Sequence, residues 1–240
     1  PPPRPPAWFE WPDDKSWFDD PSWYHRRGRV YVWWHEADYS TDFVREQETK
    51  GDFPGGLKDL NTEDPDVTEA LTRSFEYWIE VADFDGFRID TVKHIDRPEL
   101  DRNLRGFWGV FTDRMRAKAK SLGKSNFFIF GEAFDGKDDL IGSYTWPGKD
   151  AQGSFGRFDS VFYFSQKYRG IDNVLGADGA QPTKNLECLY NSRTGRNPTD
   201  AWCNSNGYPQ GPDFGNVPMM ASADGGIGLA PQQVRIVPIS

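Results

Sequence analysis

The chain has few cysteines and no long apolar run. Its 240 residues include two cysteines and three histidines. Cys188 and Cys203 can pair in an oxidising compartment or remain two free thiols, and their spacing fits no metal motif. No apolar segment reaches the length needed to cross a bilayer. Pro1 to Pro6 show no basic-then-apolar pattern, so the sequence indicates no localisation.

Positive charge is also scarce. The chain carries 28 Lys and Arg against 37 Asp and Glu, for a net charge of -9. A protein that binds nucleic acid or an anionic membrane surface needs a basic patch, and this balance does not provide one. Neither partner is therefore expected, whereas a neutral polymer is compatible with the composition.

Aromatic residues, by contrast, are abundant at 15% of the chain. Six of the ten tryptophans lie between Trp8 and Trp34. Flat rings suit stacking on sugars, but a small loop-rich subdomain also uses large rings to enlarge a thin core. We expect the second explanation to account for most of these tryptophans.

The most informative stretch is Gly86 to His94, Gly-Phe-Arg-Ile-Asp-Thr-Val-Lys-His. On a strand, Arg88 and Asp90 would share one face while Phe87 and Ile89 share the other. A short strand that ends in an aspartate is typical of an active site at the C-terminal mouth of a parallel barrel. The alternative is a structural Arg88–Asp90 ion pair followed by a solvated loop.

A second carboxylate is placed in the same way. Phe127 to Gly131 is an aromatic and β-branched run that ends at Glu132, about one strand-helix-strand unit further along the chain. Two acidic residues at the ends of successive strands favour the catalytic interpretation over the structural one.

Helical periodicity surrounds these strands. Asp64 and Pro65 begin a predicted helix that runs to about Ala82, and a second is predicted from about Asn103 to Leu122. Further strands are predicted at the segments 29–34, 160–164 and 233–239, while residues 1–55 are otherwise irregular and 176–230 form a long loop or insertion.

Three of these segments resemble signature regions of the alpha-amylase family of glycoside hydrolases. Gly86 to His94 is similar to the second region, Gly131 to Phe134 to the third, and Gly55 to Leu60 to the fifth. The resemblance implies a (β/α)8 TIM barrel with a smaller domain inserted after its third strand.

Residue roles follow from the same resemblance. It makes Asp90 the nucleophile and Glu132 the general acid/base, with Arg88 keeping Asp90 ionised and oriented. Lys93 and His94 match residues that contact the sugar beyond the cleavage point. Asp59 and the backbone carbonyl of His94 match ligands of a structural calcium, although Asp59 as an N-cap or turn residue is the favoured alternative.

Two family regions are missing. The first carries Asn-His and the fourth Asn-His-Asp, but the histidines here follow Tyr24, Trp34 and Lys93. We therefore expect an internal piece of a longer enzyme, with an inserted subdomain at 1–55 and a partial barrel at 56–240. The partial barrel would hold about strands four to six and the start of seven.

The expected function is that of a retaining glycoside hydrolase on alpha-linked glucans, present as an incomplete catalytic domain. Transglycosylation, an amylase-like domain of a fungal alpha-glucan synthase, and a non-catalytic carbohydrate-binding homologue are the alternatives. An unrelated α/β protein with chance motifs would not bring Asp90 and Glu132 together.

Overall fold

A parallel sheet and the helices beside it position the acidic and basic residues that the sequence places at strand ends. The computed structural model describes residues 20–31, 41–97, 103–135, 138–164, 166–193 and 200–206. The strands are β1 (Gly86–Ile89), β2 (Phe128–Gly131), β3 (Gly148–Asp150), β4 (Gly153–Phe155) and β5 (Ser160–Val161). The α-helices are α1 (Asp42–Lys50), α2 (Pro65–Ala82), α3 (Gly106–Ser121), α4 (Asp138–Ser143), α5 (Lys184–Arg193) and α6 (Ala201–Ser205). Short 3₁₀ turns occupy Pro21–Trp23 and Val92–His94, and a π-helical segment spans Gln166–Leu175.

Strands β1, β2 and β5 form one parallel sheet in that order. Arg88 pairs with Phe130 and Ile89 with Gly131, so β1 and β2 end at the same level. Helix α3 connects them, which makes a strand-helix-strand unit of the predicted kind. Strands β3 and β4 form a separate antiparallel hairpin.

Helix α2 begins where the sequence predicts. The Asp64 side chain accepts a hydrogen bond from the Asp66 backbone N–H at 2.8 Å, and Pro65 occupies the first turn. The helix ends at Asp83, whose left-handed backbone (φ 58°) breaks the helical hydrogen-bond pattern.

Helix α3 starts three residues later than predicted, at Gly106. The Asp96 carboxylate accepts a hydrogen bond from the Trp108 backbone N–H at 3.2 Å and so caps the helix from an earlier turn. Gly106 has φ +57°, and a Cβ there would lie 2.2 Å from an Asp96 oxygen. The start of α3 is therefore fixed by a tertiary contact, which local periodicity cannot reveal.

The main core lies between the sheet and helices α2 and α3. Ile89 and Ile129 project from the strands into a cluster with helix residues, among them Ile79, Trp108 and Met115. Burial of such side chains is the principal stabilising term for the sheet-helix unit.

Two regions expected to be irregular contain helices. Helix α1 lies within 1–55 and is capped by Thr41, whose Oγ accepts from the Val44 N–H at 3.2 Å. The residues that α1 buries, Glu48 and Thr49, are polar, so no apolar period marks the helix in the sequence.

The loop expected over 176–230 is likewise wrong in part, because α5 and α6 lie inside it. A disulfide between Cys188 and Cys203 joins these two helices, which answers the open question of thiol pairing. The segment is rich in turn-forming residues, so its sequence does not predict these two short helices. The disulfide links them covalently.

Strand predictions had mixed outcomes. The strand expected at 160–164 is confirmed only at Ser160–Val161. Arg29 forms an isolated bridge with Asp52 in place of a strand, and the rest of the segment from residue 32 lies outside the described residues. The strand expected at 233–239 and most of the N-terminal tryptophans lie outside them too. The division at residue 55 stays a prediction. Of the helices in the described ranges, none has the length and apolar character of a membrane span.

Replacement of the buried Ile79 by valine tests the α2–sheet packing. Loss of one methyl(ene) from a filled core should lower the free energy of unfolding by about 0.5–1.5 kcal/mol. The same helix offers an exposed control, Val81→Ala, which should change it by less than about 0.5 kcal/mol. Urea midpoints at an unchanged slope measure both. Equal losses for the two variants would contradict the core described above.

Candidate active site

One arginine contacts two carboxylates at the mouth of the sheet. The Nη1 atom of Arg88 lies 3.4 Å from Oδ2 of Asp90, and its Nη2 donates a hydrogen bond to Oε2 of Glu132. Because one guanidinium touches both, the carboxylates lie less than about 10 Å apart, the upper end of the range for glycosidase pairs. The structure thus brings Arg88, Asp90 and Glu132 together.

Backbone pairing places these side chains. The Glu132 N–H donates to the Ile89 carbonyl at 2.8 Å, and the Val92 N–H donates to the Glu132 carbonyl at 3.0 Å. The β1–β2 ladder therefore continues one step past both strands. Thr91, the residue after Asp90, has a left-handed backbone with φ 53°, a sparsely populated conformation that turns the chain out of the sheet.

The three side chains differ in their access to solvent. The Asp90 side chain is 61% exposed, that of Arg88 42%, and that of Glu132 25%. The centroid of the Phe162 ring lies 5.7 Å from the guanidinium carbon of Arg88, the residue that contacts both carboxylates. Asp90 is thus the more open of the two acids, and Glu132 the more enclosed.

Lys93 and His94 lie in the interior, not in a solvated loop. The Lys93 ammonium donates to Oδ2 of Asp135 at 2.9 Å, and these side chains are 4% and 0% exposed. Phe53 packs edge-on against the His94 ring with centroids 4.7 Å apart. Burial, and next the charge of Lys93, lower the pKa of His94 to about 3, so its ring is neutral. Contact of either side chain with a sugar stays a prediction.

Asp59 forms an ion pair with His25. The Nδ1 atom of His25 lies 2.5 Å from Oδ2 of Asp59, and its Nε2 lies 3.0 Å from Oε2 of Glu63. Hydrogen bonds to these two carboxylates raise the pKa of His25 to about 9. Burial raises the pKa of Asp59 to about 6 despite the histidine. The alternative of Asp59 as an N-cap is wrong, because Asp64 caps α2.

This arrangement does not fit the calcium site expected at Asp59 and the His94 carbonyl. Calcium takes six to eight oxygen ligands, whereas the Asp59 carboxylate already faces a histidine cation. Within the described ranges, no three or more Asp, Glu, His or Cys side chains are grouped as metal ligands. Calcium binding stays a prediction, and no chemical step below depends on it.

A cavity of about 660 Å³ opens elsewhere, between the N-terminal ends of α2 and α3. Its lining includes Thr62, Lys93, His94, Asp96 and Phe107, but neither carboxylate that contacts Arg88. No sequence pattern predicts this cavity, because it arises from two helix ends brought together by packing.

Asp135 is a buried charge that sequence reasoning missed. A signal was present: Lys93 follows Asp90 by three residues, and Asp135 follows Glu132 by three. Equal spacing puts both residues the same number of positions past two paired strand ends, and the structure joins them.

Comparison with known proteins gives a consistent match. A family model described as the catalytic domain of alpha amylase matches residues 3–172. An alpha-amylase of Streptomyces lividans is 34% identical over 134 residues, which cover 56% of this chain and 12% of that protein. A cyclomaltodextrin glucanotransferase of Klebsiella oxytoca is 32% identical over 111 residues, or 46% of this chain and 14% of that protein. The chain therefore matches about an eighth of the length of these relatives.

Two solved structures are also similar. An alpha-amylase of Anoxybacillus is 27% identical, with a TM-score of 0.38 over 55% of this chain and 24% of that one. An alpha-amylase of Malbranchea cinnamomea is 24% identical, with a TM-score of 0.42 over 63% of this chain and 25% of that one.

The His25 ion pairs predict a pH-dependent contribution to stability. A pKa raised from 6.5 to about 9 means that the folded state holds the proton more tightly than the unfolded state. The contribution is complete below about pH 6.5 and is lost as the pH rises through about 9. His25→Gln should therefore lower the free energy of unfolding at about pH 6, on the order of 1–2 kcal/mol after solvent screening. The loss should shrink at about pH 8 and vanish near pH 10.

Urea unfolding of the wild type and the variant at these three pH values measures the difference. Arg27→Gln is the control, because it removes an exposed pair with Glu46 whose effect should be small at every pH. A His25→Gln loss that stays constant between about pH 6 and pH 10 would contradict the protonated bridge.

Proposed function

The chain belongs to the alpha-amylase family, and from that premise we propose that it carries the carboxylate pair of a retaining glycoside hydrolase that acts on alpha-linked glucans. Family membership implies an α/β fold of the TIM-barrel type. The observation that carries the proposal is the contact of Arg88 with both Asp90 and Glu132, at the ends of adjacent parallel strands. Catalytic groups of parallel barrels occupy this C-terminal edge.

In the proposed first step, an Asp90 oxygen attacks the anomeric carbon. The bond from that carbon to the glycosidic oxygen breaks, and Glu132 gives its proton to the departing oxygen. The exposure of Asp90 favours its role as nucleophile, since the attacking oxygen must reach the sugar. Arg88 orients Asp90 through the charge contact of its Nη1 with Oδ2, 3.4 Å apart.

In the second step, Glu132 takes a proton from water as the water oxygen attacks the same carbon, and the Asp90 carboxylate leaves. Each step inverts the configuration at the anomeric carbon, so the two steps together retain it. Glu132 must carry a proton in the first step, so the substrate's glycosidic oxygen has to replace Arg88 as its partner. The Glu132 side chain, 25% exposed, is the more enclosed of the two acids, which supports this role because exclusion of water strengthens its contact with the substrate.

Transglycosylation is a second candidate within the same chemistry. It shares the first step and differs only in that a sugar hydroxyl, not water, accepts the glycosyl group. The glucanotransferase of Klebsiella oxytoca among the relatives favours keeping it. A non-catalytic homologue is less well supported, because both carboxylates are present and meet at one arginine.

We also propose that the chain is part of a larger catalytic domain, with β1, β2 and β5 as barrel strands four, five and six. The order of the motifs and the lack of any Asn-His pair in the sequence support this. So does the edge position of β1, which pairs only with β2 within the described ranges. A barrel strand would have a neighbour on that side.

Removal of either carboxylate tests the proposed roles. In the full-length enzyme, Glu132→Gln should lower kcat on a maltooligosaccharide roughly 10²–10⁴-fold, since it removes the proton donor. Asp90→Asn should cost at least as much, because the amide is a poor nucleophile. Asp85→Asn is the matched control, an exposed acid at the opposite end of β1 that pairs with Lys124.

Reducing-sugar assays measure the rates, and circular dichroism shows that each variant is folded. Proton NMR of the first product should show the alpha anomer, as retention requires. A fully active Asp90→Asn or Glu132→Gln enzyme would reject the role given to that residue, and a beta product would reject the retaining mechanism.

The isolated 240-residue chain provides a separate test of the larger-domain proposal. An open sheet edge favours association with other chains, and missing signature regions leave the substrate site unfinished. The isolated chain should therefore aggregate readily and hydrolyse little alpha-glucan, as measured by light scattering and reducing-sugar release beside the full-length enzyme. Appreciable turnover by the chain alone would contradict the proposal.

A further inference from the structure

An aromatic ring lies against the arginine that contacts both carboxylates. The guanidinium carbon of Arg88 is 5.7 Å from the centroid of the Phe162 ring. A guanidinium within about 6 Å of an aromatic face is attracted by the electron density of that face. Arg88 therefore has a contact of a second kind, in which the partner carries no charge, beside its ion pairs with the two acids.

Strand pairing fixes the place of this ring. Phe162 directly follows β5, and its N–H donates to the Gly131 carbonyl at 3.1 Å, so the β2–β5 ladder continues one step past β5. Arg88 pairs with Phe130, and Phe130 with Ser160, so these three positions share one face of the sheet. Phe162, two residues after Ser160, returns to that face. Its ring packs edge-on against the Phe130 ring, with centroids 5.4 Å apart.

The ring contact and the ion pairs respond differently to the proposed reaction. In the first step Glu132 carries a proton for the glycosidic oxygen, so Arg88 gives up one of its two charged partners. The Arg88 side chain is long and 42% exposed, and a single ion pair in contact with water holds such a side chain weakly. The attraction of the Phe162 ring does not depend on the protonation of Glu132. It persists when the ion pair with Glu132 is absent.

We propose that Phe162 is a positioning residue whose ring holds the Arg88 guanidinium against Asp90 while Glu132 donates its proton. The inference rests on the proposed glycosidase function and deepens it. The ring takes no part in bond breaking, because it acts on the nucleophile only through Arg88. In the sequence Phe162 is one of three consecutive aromatic residues, and only the register of β5 places it beside the arginine.

A series of fluorinated phenylalanines at position 162 tests the proposal in the full-length enzyme. Each added fluorine withdraws electron density from the ring face and changes the size of the ring little. From phenylalanine through the mono- and difluorinated rings to the trifluorinated ring, kcat/KM on a maltooligosaccharide should fall stepwise, by roughly 3–30-fold in total. The fall should lie mainly in kcat, because the contact acts on the nucleophile. Phe162→Leu, which is apolar but has no ring, should show the full loss.

The matched control is the same series at Phe111, a ring of helix α3. Phe111 is 1% exposed and packs edge-on against the Phe75 and Trp108 rings in the core. Fluorination there alters a core ring without acting on Arg88, so kcat/KM should stay constant. If Phe162 served only to fill space, its series would be as flat as the control series. Circular dichroism and urea midpoints show that each variant is folded.

The results separate the two proposals. An unmodified full-length enzyme without turnover would overturn the proposed function and this inference with it. An active enzyme whose kcat/KM stays constant through the series at position 162, or falls equally in the series at position 111, would overturn the positioning role alone. Full activity of Phe162→Leu would do the same. So would a raised KM at unchanged kcat, because that result assigns the ring to sugar binding.

Discussion

The parallel pairing of β1 with β2 is the constraint on which the proposed site depends. Its register ends both strands at one level, and the Glu132 N–H to Ile89 carbonyl bond extends the ladder to the site itself. Parallel strands present consecutive side chains on alternate faces, so Arg88 and Asp90 project together toward Glu132. A slip of one residue would send Arg88 to the opposite face and separate the three groups.

The ion pairs that follow these two strands differ in their exposure to solvent. Near the surface, Arg88 is shared by two partly exposed carboxylates, a contact that water screens. Beneath it, Lys93 and Asp135 are buried and cannot separate cheaply. The exposed contact is therefore the more easily exchanged of the two, and the buried pair the more fixed.

A different cation joins two segments that both precede α2 and the sheet. His25 lies between Asp59 and Glu63, where hydrogen bonds to both keep the imidazole protonated. The same Asp59 was expected to bind calcium from the family resemblance. In this structure a histidine supplies the positive charge, and the link between residues 25 and 59–63 is also supported by backbone hydrogen bonds on either side.

The sequence by itself determined the local elements and the chemical candidates. Asp64 and Pro65 marked the start of α2, alternation marked β1 and β2, and the three signature-like motifs identified the family that the comparison confirmed. These features depend on neighbours a few residues apart, which periodicity and capping rules describe. Tertiary structure alone decided the start of α3 under Asp96, the polar helix α1, the Cys188–Cys203 pairing, the burial of Lys93 against Asp135 and the capture of Asp59 by His25. These features depend on residues that are far apart in the sequence. Which side chains meet, and how deeply they are buried, is decided only when the segments pack together.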